Sequence, residues 1–400
     1  MSELNTLAVV GAGIGGLAAA FALGQSGFKH RLYEQADVFF ETGAGIGLGP
    51  NAMRVLDRWG LGSELRHAGC TPAFLLARRA EDGRTAGRLP MGPYFIEKYG
   101  APYLTVHRAD LHRLLLMAVK NQGLTELFLN HKLMGIDVQS KGMDLQFQES
   151  SESHQALALI GADGLNSRVR SLVFDADAPE PNGHWAYRTL LPIQGLPEAF
   201  HDTHIGIWMG KRLHVVHYPV RGGEFLNMVV LLESADHPSQ AGWDVLRSTE
   251  QINADLKQAL KGCCNELQEL IHRAENWRAW CLFDREPLHA AEQMAQGRVA
   301  LLGDAAHPML PYLAQGAGMA IEDAASLAQH WQDTSLTVEQ RVSNYAQARW
   351  QRASRVQQRA RRNGRIYHAD GVLRMARDAA LRLGGAKLMD MPWLYGFHNR

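Results

Sequence analysis

Three short clusters in this chain pair glycines with a carboxylate, the residue chemistry that holds a phosphorylated, hydroxyl-rich ligand. The first is Gly11-Ala12-Gly13-Ile14-Gly15-Gly16, with Glu34 downstream. The second is Asp163-Gly164, inside Gly161 to Arg168. The third is Gly303-Asp304, inside Gly303 to Pro308. In the first cluster Gly11 allows a tight turn, Gly13 lets backbone approach a pyrophosphate, and Gly16 lets a helix pack closely on a strand. A phosphate then sits at the helix N-terminus, where free N–H groups and the dipole favour negative charge. Glu34, roughly 20 residues further on, can accept hydrogen bonds from a ribose hydroxyl.

Glycines in this spacing mean little without the elements that position them. Leu7 to Val10 is an apolar run too short for a helix and bounded by glycine, as a buried parallel strand reads. An alanine- and leucine-rich segment with good helix propensity follows, then a second apolar strand ending at Glu34. Strand, glycines, helix, strand and terminal acid therefore stand in order within one unit of about thirty residues, which defines a dinucleotide site.

The 400 residues suffice for two or three domains, and a hydrophobic content of 46% supports a globular core. A formal net charge of +0 argues against a general polyanion binder. The four cysteines, Cys70, Cys263, Cys264 and Cys281, form no metal-ligand pattern. No apolar run reaches about 18 residues and no secretory leader opens the chain, so it reads as cytoplasmic with reduced thiols.

Further along, Thr42 to Asn51 is a glycine-rich loop suited to lie against a flat ligand, and Ala52 to Trp59 reads as an amphipathic helix. Phe74 to Arg88 is strand material with an Asp82-Gly83 hairpin signal. Tyr103 to His107 is a strand leading into Arg108 and a helix from Leu111. Ala156 to Ile160 feeds the second glycine cluster, and Arg298 to Leu302 feeds the third. Trp185 to Glu233 alternates as strands and marks a second domain; residues 245–275 read as helical. A basic helical run carries Arg349, Arg352, Arg355, Arg359, Arg361, Arg362 and Arg365. These residues spread around the helix, so a solvated face is expected and no nucleic acid.

In a doubly wound sheet, ligands bind outside the carboxyl ends of the strands, so the three junctions can meet on one long ligand. Pyrophosphate on the first, adenosine ribose on Glu34 and a ribityl chain on Asp304 suit FAD. At this point the chain resembles a known family, the single-component flavoprotein aromatic hydroxylases of the para-hydroxybenzoate hydroxylase fold. Their three signatures match the three clusters in order. The stretches His214-Val-Val-His-Tyr218-Pro-Val-Arg-Gly-Gly223, Asp284-Arg-Glu-Pro287 and Pro392-Trp-Leu-Tyr-Gly396 are similar to 3-hydroxybenzoate 6-hydroxylase and salicylate hydroxylase.

The resemblance implies an α/β fold: a Rossmann-like FAD-binding domain (1–75, 98–175 and 280–345), an inserted mixed β-sheet substrate domain (76–97 and 176–279) and a C-terminal helical region (346–400). It places Arg108, Asp163, Asp304, Gly47, Pro311, Gly316 and Ala317 on the FAD, with the His307 to Gly316 stretch beside the isoalloxazine ring. NADH or NADPH would bind in passing, and O2 would be captured as a flavin C4a-hydroperoxide that attacks a phenolic aromatic acid. A homodimer is compatible with the family. Some 3-hydroxybenzoate 6-hydroxylases carry glutamine in place of Pro311, which leaves salicylate open. Related 6-hydroxynicotinate hydroxylases carry histidine in place of Gly47, which weakens the nicotinate reading.

A phenol becomes a better nucleophile when deprotonated, so a general base is needed. On the strand 214–218, His214, Val216 and Tyr218 share one face and His217 the other. The four-residue span of roughly 13 Å lets His214 and Tyr218 flank a ring. Histidine can take a phenolic proton near neutral pH. His214 is therefore expected to deprotonate or polarise the phenol, with Tyr218 orienting the ring or its carboxylate. The rivals are hydroxylation of a hydroxynicotinate or urate-like heterocycle, and a flavoprotein that does not hydroxylate.

Overall fold

The computed structural model describes residues 6–39, 45–148, 150, 152–174, 176–234, 236 and 247–397. Its first sheet is built on β1 (Leu7–Val10), whose four side chains are all buried, as an apolar run packed on both faces must be. Beside it lie β2 (His30–Tyr33), β7 (Thr125–Phe128), β11 (Ala158–Gly161), β17 (Ala295–Gln296) and β18 (Val299–Leu301), in the order β17-β18-β11-β1-β2-β7. All neighbours pair parallel except β17 with β18. The strands β11, β1 and β18 are neighbours, so Gly11, Gly161 and Gly303 emerge side by side from their carboxyl ends.

Helix α1 (Ile14–Gln25) crosses over from β1 and buries nearly all of its alanine-rich length. It packs against α3 (Arg108–Gln122), which follows β6 (Leu104–His107), and against α6 (Gly316–Trp331). The run from Ala156 to Ile160 is broken at Leu157. Its first residue ends β10 (His154–Ala156), which pairs with β9 (Gly142–Phe147) and β8 (Leu133–Gln139) in a small separate sheet.

The second large sheet has seven strands in the order β16-β12-β15-β14-β13-β4-β5. They are β4 (Phe74–Arg79), β5 (Thr85–Pro90), β12 (Glu180–Pro192), β13 (His204–Gly210), β14 (Leu213–Val220), β15 (Phe225–Glu233) and β16 (Arg278–Asp284). Only β13 and β4 pair parallel. One face packs Trp208, Val215, Met228 and Val230 under α4 (Thr249–Ala259) and α5 (Asn265–His272), the two pieces of the 245–275 helical segment. Ala186, Ile205, Tyr218, Val229 and Leu231 turn the other way, into the core shared with the first sheet. The candidate site lies where these two bodies meet.

Part of the expected glycine-rich loop at Thr42 to Asn51 is a strand. β3 (Gly45–Leu48) pairs antiparallel with β6, and α2 (Pro50–Arg58) starts directly behind it with proline at its first position. Residues 42–44 of that stretch lie outside the described residues. The glycines serve a strand squeezed between layers, because a Cβ on Gly45 would stand 2.6 Å from the Tyr218 ring. The final long helix, α7 (Val338–Tyr367), leads into a further helix at Gly371–Gly384.

Candidate active site

The first junction is shaped as a phosphate cradle. Gly11 has φ +99°, and a Cβ there would stand 2.5 Å from the Ala162 carbonyl oxygen. A Cβ on Gly16 would fall 1.8 Å from the Gly11 backbone oxygen, so helix and turn touch only because residue 16 is glycine. A Cβ on Gly13 would meet nothing within 4 Å, which leaves that side of the turn open to a ligand, whereas one on Gly15 would face Leu302 at 3.0 Å. Glu34 stands beside the turn, where its carboxylate accepts hydrogen bonds from the Ala12 N–H (2.8 Å) and the Ala36 N–H (3.0 Å).

The second and third junctions are tied together. Asp163 accepts from the Ser167 hydroxyl (2.5 Å) and from the backbone N–H groups of Arg168 (2.6 Å) and Val169 (3.0 Å). Both of its carboxylate oxygens are thus engaged inside their own loop. Arg170 from the same loop donates to the carbonyls of Ala305 (3.1 Å) and Ala306 (2.7 Å), beside Asp304. The Asp304 side chain is accessible although protein surrounds it, as for a group lining a cleft. Burial raises its carboxyl pKa, against the charges of Arg108 and His307. Arg108 opens α3, and Gly316 opens α6 with a Cβ position 3.8 Å from the Asp304 carboxylate. Ala317 is the next residue of that helix, and Pro311 begins the short 3-10 turn Pro311–Leu313 just before it.

A model of an FAD binding domain matches residues 3–360 of the chain. The chain belongs to that FAD-binding family. It is 38% identical to 3-hydroxybenzoate 6-hydroxylase of Polaromonas naphthalenivorans, over 98% of this chain and 95% of that protein. It is 37% identical to 6-hydroxynicotinate 3-monooxygenase of Bordetella bronchiseptica, over 88% and 89% respectively. Among solved structures, Klebsiella pneumoniae HpxO complexed with FAD and uric acid superposes with TM-score 0.83 at 26% identity, covering 96% of this chain and 94% of that one. A salicylate hydroxylase substrate complex superposes with TM-score 0.80 at 26% identity, covering 98% and 95%. The protein is an FAD-dependent aromatic-ring monooxygenase, and the open, glycine-lined cradle with Asp304 beside it fits that cofactor.

Across the cleft from the family's FAD signatures, the expected face of β14 is present. His214, Val216 and Tyr218 turn toward the shared core, while His217 packs among Phe200, His204 and Trp208 on the opposite side. Tyr218 and His214 are both buried. Burial lowers the His214 pKa well below the ordinary imidazole value, and the charges of His368 and His184 push in the same direction. His214 is therefore neutral at physiological pH. Gly47 on β3 faces Tyr103, whose hydroxyl would stand 2.1 Å from a Cβ at that position. Glycine there admits the tyrosine.

Two residues outside the sequence expectations belong to this cleft. Arg188 on β12 lies on the same sheet face as Tyr218, and its guanidinium rests 4.6 Å over the Trp280 ring. Its Nε is buried without a hydrogen-bond partner among the described residues. Burial lowers its pKa to about 10, countered by Tyr218 and reinforced by Arg108. His368, just after α7, is hydrogen-bonded to His214 at 2.7 Å. Alternation within β12 was visible in the sequence; the position of β12 two strands from β14 was not.

The basic run is solvated only in part: Arg355, Arg362 and Arg365 are exposed, as expected, and others are not. Arg349 is fully buried, with its Nε 2.7 Å from Asp323 and its Nη1 2.9 Å from Glu322. Arg352 grips both oxygens of Glu322 (2.6 and 2.7 Å), and Arg361 pairs with Asp284 and Glu286. Among the described residues no helix is long and apolar enough to cross a membrane.

Proposed function

We propose that the protein hydroxylates a phenolic aromatic carboxylate, with 3-hydroxybenzoate converted to gentisate as the first choice and salicylate as the second. Arg188 carries this reading: a cation with an unpartnered Nε, placed near Tyr218 in the cleft, calls for an anion from outside the protein. With the carboxylate on Arg188, the ring lies against Tyr218, and a phenol hydroxyl is directed to His214 on the same strand face. FAD, when bound and reduced by NADH or NADPH, supplies the activation of O2 and delivers one oxygen atom. The chain's own part is to fix the ring, accept the phenolic proton at His214 and keep water from the cleft.

Glu34, the glycines 11, 13, 15 and 16, Arg108, Asp163, Asp304, Gly316 and Ala317 then serve the cofactor, with Gly47 and Pro311 at its flavin end. We assign the segments 1–75, 98–175 and 280–345 to cofactor binding and 76–97 with 176–279 to the substrate. Residues 346–400 form the closing helical region. A cytoplasmic location accords with four free cysteines. The heteroaromatic reading is the weaker one, because position 47 is glycine and not the histidine of the related 6-hydroxynicotinate hydroxylases.

The deciding experiment supplies the FAD-loaded protein with NADH and either 3-hydroxybenzoate or salicylate, and identifies products by mass. Gentisate from 3-hydroxybenzoate with no carbon lost is expected. NADH oxidation that yields only hydrogen peroxide with every phenolic acid would overturn the proposal.

A further inference from the structure

His214 is the inner end of a hydrogen-bonded chain that reaches the protein surface. Its Nδ1 lies 2.7 Å from Nε2 of His368, and Nδ1 of His368 lies 3.1 Å from a carboxylate oxygen of Glu233. His214 and His368 are almost wholly buried, whereas the Glu233 side chain is 31% exposed. The three residues come from β14, the end of α7 and the end of β15, so folding alone assembles them. Arg212, in the turn before β14, holds the second oxygen of Glu233 at 3.2 Å. His184 from β12 stacks on the His368 ring, with centroids 4.7 Å apart and planes 8° apart, and receives the Tyr312 hydroxyl. Tyr367 and Tyr312 pack their rings against His214, with centroids 5.3 and 5.2 Å away.

With Glu233 ionised and a single proton on His368, the hydrogen-bond geometry allows one arrangement of the ring protons. An ionised Glu233 can only accept, so His368 donates from Nδ1. A neutral His368 then has Nε2 free to accept, so His214 donates from Nδ1. That leaves Nε2 of His214 unprotonated, as a general base requires.

We propose that His214, His368 and Glu233 form a proton relay that carries the substrate's phenolic proton to solvent. The proposal rests on His214 being the base. As the phenol O–H bond breaks, an N–H bond forms at Nε2 of His214. The Nδ1 proton of His214 passes to Nε2 of His368, the Nδ1 proton of His368 passes to Glu233, and Glu233 releases it to water. No electrons move. When the phenolate product is reprotonated the chain runs inward and the original tautomers return. Burial lowers the His214 pKa and so makes it a poor place to store a proton, which suits transfer over retention. His368 and Glu233 touch neither substrate nor cofactor and are positioning residues.

The test compares Glu233→Gln, Glu233→Asp, His368→Asn and His214→Ala in the FAD-loaded protein. Binding of 3-hydroxybenzoate, or of salicylate if that is the acid hydroxylated, is followed by the flavin spectrum. Proton release on binding is read with an indicator dye in weak buffer. Glu233→Gln is expected to bind FAD and the acid within about threefold of the parent and to be reduced by NADH at the same rate. It should release its proton slowly and hydroxylate about 10²-fold more slowly. Glu233→Asp should restore part of the rate. The double variant His214→Ala with Glu233→Gln should be no slower than His214→Ala alone, because the residues act as one unit. Parent-like proton release and turnover in Glu233→Gln, while His214→Ala is inactive, would overturn the relay and leave His214 as base. Full coupled turnover in His214→Ala would remove the base itself. Glu233 is partly exposed and its variant keeps the core intact, so a folding failure in His368→Asn does not blunt the test.

Discussion

At the scale of single residues, the site turns on a buried charge whose meaning depends on what opposes it. A guanidinium paired with a carboxylate would be structural. Arg188 instead has a ring beneath it, a tyrosine beside it and an Nε with no hydrogen-bond partner among the described residues. A hydrogen bond to an ionised group contributes about 1.5–3 kcal/mol, roughly 10- to 150-fold in affinity. Arg188→Met should therefore raise the KM for the aromatic acid about 10²-fold and change kcat much less. The same ring without its carboxylate should bind parent and variant alike. Steady-state kinetics with the acid, and binding of the neutral phenol, check both halves. Equal KM values would place the carboxylate elsewhere. His214 and Tyr218 were legible in the sequence because strand alternation is local. Arg188 and His368 were not, since their significance comes from β12 lying beside β15 and from a histidine 154 residues away.

At the scale of elements, the cofactor half is locked by buried charge between two helices. The sequence expectation of solvated arginines on α7 holds for Arg355, Arg362 and Arg365 and fails at Arg349, for a reason the sequence did contain. Val342, Tyr345, Ala346, Arg349, Ala353, Val356 and Ala360 recur at helical spacing and are all buried, so Arg349 sits on the apolar stripe. Likewise Glu322 and Asp323 interrupt an otherwise apolar α6, and such a pair needs cations. Asp323 also accepts from the Gly303 N–H (3.2 Å) and bonds His307 at 2.6 Å, so the ion cluster holds the loop that presents Asp304. Removing one partner from a buried pair leaves the other uncompensated, typically at a loss of about 3–5 kcal/mol. Arg349→Met is expected to lose that much in urea denaturation and to weaken FAD retention. A variant as stable as the parent, with FAD intact, would mean that the cluster is dispensable.

At the scale of the whole molecule, the first sheet was legible because each βα turn carries its own glycine signature. The pairing order of the seven-stranded sheet was not, since β4 joins β13 in parallel across more than a hundred residues. That long-range assembly buries histidines, and their titration governs stability. Burial is the leading cause of a lowered pKa at His30, His184, His204, His214 and His217, with His184 at about 4 and His217 at about 3. In the unfolded chain these rings bind protons as pH falls through about 6.5, while the folded chain keeps them neutral. Unfolding therefore takes up protons below that pH, and stability is greatest above 6.5 and falls as pH drops toward 4. Each such ring contributes a slope of about 1.4 kcal/mol per pH unit. Asp323 adds a second window. Burial opposes its ionisation, but His307 and Arg349 outweigh burial and hold it at about 2, so its contribution is lost between about pH 4 and 2. Urea midpoints of the holoenzyme, measured at fixed ionic strength and saturating FAD, should fall steadily from pH 7 to 5. His217 has neither ring nitrogen hydrogen-bonded among the described residues, so His217→Leu should flatten the slope by one proton without removing a bond. A profile flat from pH 8 to 5, or one that His217→Leu leaves unchanged, would mean that these rings are protonated within the fold.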